Sequence, residues 1–76
     1  MSREIGRRIR ALRRLKRYTQ QELSKQLGIS VSMLSNIERG VQTARPALLE
    51  EIADVLEVPP EELFLVSGDL KKYSLM

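Results

Sequence analysis

The chain contains neither cysteine nor histidine. Without cysteine it can form no disulfide and no thiolate-bound metal centre. Without histidine it lacks the commonest general base and the commonest metal ligand. A hydrolytic or metal-dependent enzyme is therefore not expected, although carboxylates alone can ligate a hard cation, and no cofactor is expected. No apolar run approaches the roughly 20 residues of a membrane span, and the first residues are charged. The expectation is a soluble, cytoplasmic prokaryotic protein with no membrane partner. Internal repeats, low-complexity segments and convincing strands are also missing. The 76 residues make one small domain. A chain this short buries only about 60% of its unfolded surface, so its core is thin.

Charge is unevenly placed. The net charge is +3. Residues 1–45 carry 11 Lys/Arg against 3 Asp/Glu, a surplus of +8, and residues 46–76 carry 2 against 7, a balance of −5. Single arginines can simply line the solvated face of the first helix. The asymmetry as a whole suggests one face for a polyanion.

Five helices are predicted. The first runs from about Ser2 to Arg17, with Ile5, Ile9, Leu12 and Leu15 forming its buried stripe. Gly6 lowers its propensity by about 1 kcal/mol against alanine and permits close packing. The most informative segment is TQQELSKQLGISVSMLSNIERG, from Thr19 to Gly40. It reads as two short helices joined by a tight turn. Thr19 and Glu22 have capping-box spacing, Ser30 can cap the following helix, and Gly28 sits where positive φ is needed. Residues 40–45 form a polar loop. A fourth helix runs from Pro46, whose missing amide is harmless in a first turn, to about Glu57. Pro59-Pro60 opens a short fifth. Ile9, Leu12, Leu48, Ile52, Leu56 and Phe64 should close over Leu23, Leu34 and Ile37, since such short helices need mutual burial.

The segment resembles the helix-turn-helix of the phage repressor and Cro-type DNA-binding family, the xenobiotic-response-element regulators. The matching residues are Thr19-Gln20, Glu22-Leu23, Leu27-Gly28, Ser30, Leu34-Ser35, Ile37-Glu38 and Gly40. Flanking apolar residues extend the likeness over residues 3–65. It implies an all-α, compact five-helix bundle of the lambda-repressor-like type, with helices 2 and 3 forming the motif. The sequence departs from the pattern at three places. Ser24 stands for a packed alanine, Val31 for a polar or basic residue, and Arg17-Tyr18 for a Gly-hydrophobic pair.

Leu34 and Ile37 fix the inward side of the third helix. Val31, Ser32, Ser35, Asn36 and Arg39 then lie on its open side. A major groove about 12 Å wide admits one helix. Val31 suits a thymine methyl, Ser32 several bases, and Asn36 an adenine held through two edges; these three are the candidate base-reading residues. Met33 belongs to the core or its rim. Phosphate contacts fix the register of such complexes, and the candidates are Arg13, Thr19, Gln20, Ser35, Arg39, Thr43 and Arg45. The resemblance gives Gln20 a backbone grip at a helix N-terminus. It also pairs Arg13 with Glu38, which would aim Arg13 at a phosphate.

These features lead to sequence-specific binding of double-stranded DNA by a homodimeric transcriptional repressor or regulator. The operator would be near-palindromic, with half-sites roughly 34 Å apart. Residues 1–65 would form the DNA-binding domain and 66–76 a tail, linker or dimerisation segment. The dimer patch is expected among Leu63, Leu65, Val66 and Leu70. A protein-interaction module is the alternative, such as an antitoxin that binds its toxin and its own operator; a toxin or effector partner fits either reading. A general nucleic-acid binder without sequence preference is a third possibility.

Overall fold

The computed structural model describes residues 2–64, with side chains over 3–63. Five helices follow in order: α1 (Ser2–Leu15), α2 (Gln20–Leu27), α3 (Val31–Glu38), α4 (Pro46–Leu56) and α5 (Glu61–Phe64). The described residues contain no strand and no helix long and apolar enough to cross a membrane. Leu65 and the expected tail 66–76, with Val66 and Leu70, lie outside the described residues.

Local chemistry sets the helix ends. Thr19 Oγ1 accepts from the Glu22 amide at 3.0 Å, and Glu22 Oε1 accepts from the Thr19 amide at 2.9 Å. Both halves of the capping box are thus made, satisfying amides that a helix start leaves open. Ser30 Oγ caps α3 by accepting from the Met33 amide at 3.0 Å. Gly28 ends α2 at φ 71°, a left-handed conformation that costs a glycine little.

One other end departs from expectation. α1 stops at Leu15 rather than Arg17, because Arg17 itself turns left-handed at φ 66°. Leu15, the last helical residue, is 72% exposed and is not part of the buried stripe. Glu57 takes the same role after α4 at φ 60°.

Ile9, Leu23, Leu34, Ile37, Ile52, Leu56 and Leu63 are the large fully buried side chains. Each contributes about 1.5–3 kcal/mol by leaving water. Neither eight-residue helix would persist without that burial. α4 buries Leu49, Ile52, Ala53 and Leu56, a clean stripe at three- and four-residue steps. The expected Leu48 lies beside it and is only half-buried. Leu63 is 1% exposed and belongs to the core, so it cannot form part of a dimer patch while α5 stays docked. The side chain of Phe64, also expected in the core, lies outside the described set. Met33 and Tyr18 pack on the rim.

α1 lies on α3 at close range. A Cβ on Gly6 would overlap the Ile37 carbonyl oxygen and sit 2.5 Å from that of Glu38. Only glycine allows this approach. α5 is tied back to α1 by Arg8, whose Nη2 lies 2.6 Å from Glu62 Oε1 and whose Nε donates to the Glu62 carbonyl at 3.0 Å.

Candidate nucleic-acid interface

Burying Leu34 and Ile37 rotates α3 so that its opposite side meets solvent. Val31, Ser32 and Arg39 are exposed there, and Ser35 and Asn36 are half-buried. The fold therefore does not cover the side chains expected to read bases. Arg39 Nη2 donates to Asn36 Oδ1 at 2.7 Å. That bond holds the amide against the helix and leaves its NH2 group and a second oxygen lone pair open. The Asn36 carbonyl accepts from the Val41 amide at 2.9 Å and the Gln42 amide at 3.2 Å. These bonds fold the loop after α3 back onto its last turn.

Behind α3 is a buried ion pair. Arg13 Nε lies 2.6 Å from Glu38 Oε2, and Nη2 donates to Oε1 at 3.2 Å. Nη1 donates to the Tyr18 carbonyl at 2.8 Å. The two side chains are 9% and 2% exposed. The fork of Arg13 thus matches the carboxylate in two-bond geometry. Glu38 Oε1 also accepts from Gln20 Nε2 at 3.0 Å. One carboxylate therefore joins α1, the start of α2 and the end of α3. The family resemblance implied the Arg13–Glu38 pair, but not its further bond to Gln20. Arg13 spends three donors inward and has little surface left for a phosphate.

Gln20 and Thr19 stand at the α2 N-terminus, where free amides and the helix dipole favour an anion. Thr19 is exposed and Gln20 half-buried. With one amide hydrogen on Glu38, Gln20 retains a second. Thr19 and Gln20 help line an open concavity bounded by Arg10, Arg13 and Arg14 of α1 and by Val31 of α3. Arg10 and Arg14 were not singled out from sequence. Their spacing on α1 was visible, but not which element they would face.

Thr43 and Arg45 are exposed between α3 and α4. Arg45 is the N-cap residue of α4 without a side-chain cap bond. None of the hydrogen bonds described above joins Arg45 to Gln20 or Asn36. Ser24, buried among the helices, donates from Oγ to the Gln21 carbonyl at 3.1 Å. That partner removes the cost of putting a hydroxyl where alanine would pack. Among the described residues every buried side-chain nitrogen and oxygen has a hydrogen-bond partner, and no group of three or more carboxylates could hold a metal ion.

Comparison with known proteins agrees with this fold. A helix-turn-helix family model matches residues 9–63. The chain is 53% identical over 58 residues to the uncharacterized HTH-type transcriptional regulator YazB of Bacillus subtilis, covering 76% of this chain and 84% of that protein. Its fold is similar to that of the restriction-modification controller protein C.AhdI from Aeromonas hydrophila, with a TM-score of 0.79 and 30% identity over 83% of this chain and 96% of that one. It is also similar to the hypothetical transcription factor NHTF from Neisseria, with a TM-score of 0.82 and 25% identity over 99% of this chain and 84% of that one. A family model over most of the chain and a relative 53% identical over 76% of it show the family, and the chain belongs to the Cro/C1-type helix-turn-helix family of DNA-binding, non-enzymatic transcriptional regulators.

Proposed function

We propose that the protein represses or otherwise regulates transcription as a homodimer, each copy laying α3 in the major groove of one half of a near-palindromic operator. The observation that carries this reading is the open side of α3, mostly polar and exposed or half-buried, next to the anion-favouring start of α2. Val31, Ser32 and Asn36 meet base edges. Asn36 is the strongest discriminator, since its NH2 and remaining lone pair can engage adenine N7 and N6 together. Thr19, Gln20, Ser35, Arg39, Thr43 and Arg45 hold phosphates and set the register. Arg13 acts one step back: it neutralises Glu38, and Glu38 holds Gln20 in place. The dimer contact uses surface other than Leu63, whose side chain the monomer already buries.

Selection from a random duplex pool, followed by footprinting, tests the whole reading. The expected result is an enriched sequence with twofold symmetry and two protected half-sites about one helical turn apart. An unenriched pool, or a single protected half-site bound by a monomer, contradicts it.

A further inference from the structure

Base reading by α3 and phosphate contact by the motif leave several arginines of α1 unexplained. Arg8 is paired with Glu62, and Arg13 with Glu38. Arg3, Arg7, Arg10 and Arg14 differ. They recur at steps of four, three and four, which places them on one face of the helix. All four are exposed, and none of their side chains has a hydrogen bond or ion pair among the described residues. Like charges at this spacing repel one another and weaken a helix. Four together are a poor choice for solvation alone.

The stripe also has a direction. Arg10 and Arg14 border the concavity that contains Thr19 and Gln20, and no carboxylate lines it. Behind it, Glu38 is already neutralised by Arg13, and Glu22 turns its carboxylate to the Thr19 amide. Among the lining side chains, Arg10 and Arg14 carry charge that no ion pair takes up, next to the first amides of α2.

We propose that Arg10 and Arg14 form a phosphate clamp on α1, each neutralising a backbone phosphate of the duplex beside the one held by Gln20. The proposal rests on the DNA-binding reading and extends it. The contact surface is not confined to the two motif helices, and α1 tracks the flank of the site. This clamp adds affinity without sequence preference, because phosphates carry no base identity.

The test compares two variants of equal net charge, R10Q/R14Q and K16Q/K25Q. Lys16 and Lys25 are exposed and lie outside the concavity. Binding to a mixed-sequence 24-base-pair duplex is measured over a range of salt concentrations. Each lost phosphate contact lowers the log–log salt slope by about 0.9. R10Q/R14Q should therefore lose about 2 units of slope per bound protomer, and K16Q/K25Q less than about half a unit. R10K/R14K should retain the wild-type slope, which separates charge at this place from loss of structure. Equal slopes for R10Q/R14Q and wild type, or equal losses in the two charge-matched variants, would overturn the clamp and leave DNA binding standing. No salt-dependent binding by the wild type would overturn both.

Discussion

Glu38 is the residue on which the interface turns. Its carboxylate takes two bonds from Arg13 and one from Gln20 while almost wholly out of water. A buried ion is tolerated only while paired, and removing one partner costs about 3–5 kcal/mol because the other is left uncompensated. Arg13→Met should therefore destabilise the protein by about that amount in urea unfolding. Adding Glu38→Gln to Arg13→Met should return part of the loss, since no unpaired ion then remains. A loss below about 1 kcal/mol for Arg13→Met would put the pair on a level with an exposed surface bridge and remove the basis for its positioning role. The pair could be expected from sequence only through the family pattern, because Arg13 and Glu38 are 25 residues apart. Arg8 and Glu62, 54 residues apart, were not expected to pair at all. Pairing at such distances depends on how helices dock, which local spacing does not encode.

At the scale of elements, sequence was most informative where the chemistry is local. Thr19 with Glu22, Ser30 and Gly28 each act within a few residues of their own position, so they marked the ends of α2 and the start of α3. Arg17 misled because a helix was expected to continue where the backbone instead turns left-handed without glycine; Leu15 is helical but lies to the side of the stripe made by Ile5, Ile9 and Leu12. Leu48 and Leu49 are 100° apart on α4, and only the docked surface of the other helices decides which is buried. Gly6 shows the reverse case, where a residue unfavourable to its own helix is required by another. Its missing Cβ lets α1 rest on the last carbonyls of α3. Gly6→Ala gains about 1 kcal/mol of helix propensity, but the clash is with backbone and cannot be relieved by a rotamer. The net effect expected in urea unfolding is a loss of about 1–3 kcal/mol. DNA affinity should fall as well, because the displaced carbonyls flank Glu38. A stabilised variant would show that α1 and α3 are less closely engaged.

For the molecule as a whole, a small core carries a large asymmetry of charge. Ile9, Leu23, Leu34, Ile37, Ile52, Leu56 and Leu63 hold five short helices in one arrangement. That arrangement sets the open side of α3 beside the α2 N-terminus and the arginines of α1. The basic half of the sequence supplies this surface, whereas α4 and α5 carry acids. Binding and specificity should therefore separate: phosphate-holding residues set affinity for any duplex, and α3 sets preference among duplexes. The most direct measurement is the base-preference profile of wild type and Asn36→Ala over single-base variants of the selected operator. Asn36→Ala should lose about 1–3 kcal/mol of discrimination at one base pair per half-site and keep the wild-type affinity for unrelated duplex within about twofold. An unchanged profile, or a uniform loss across all sequences, would contradict the claim that the open side of α3 reads the major groove.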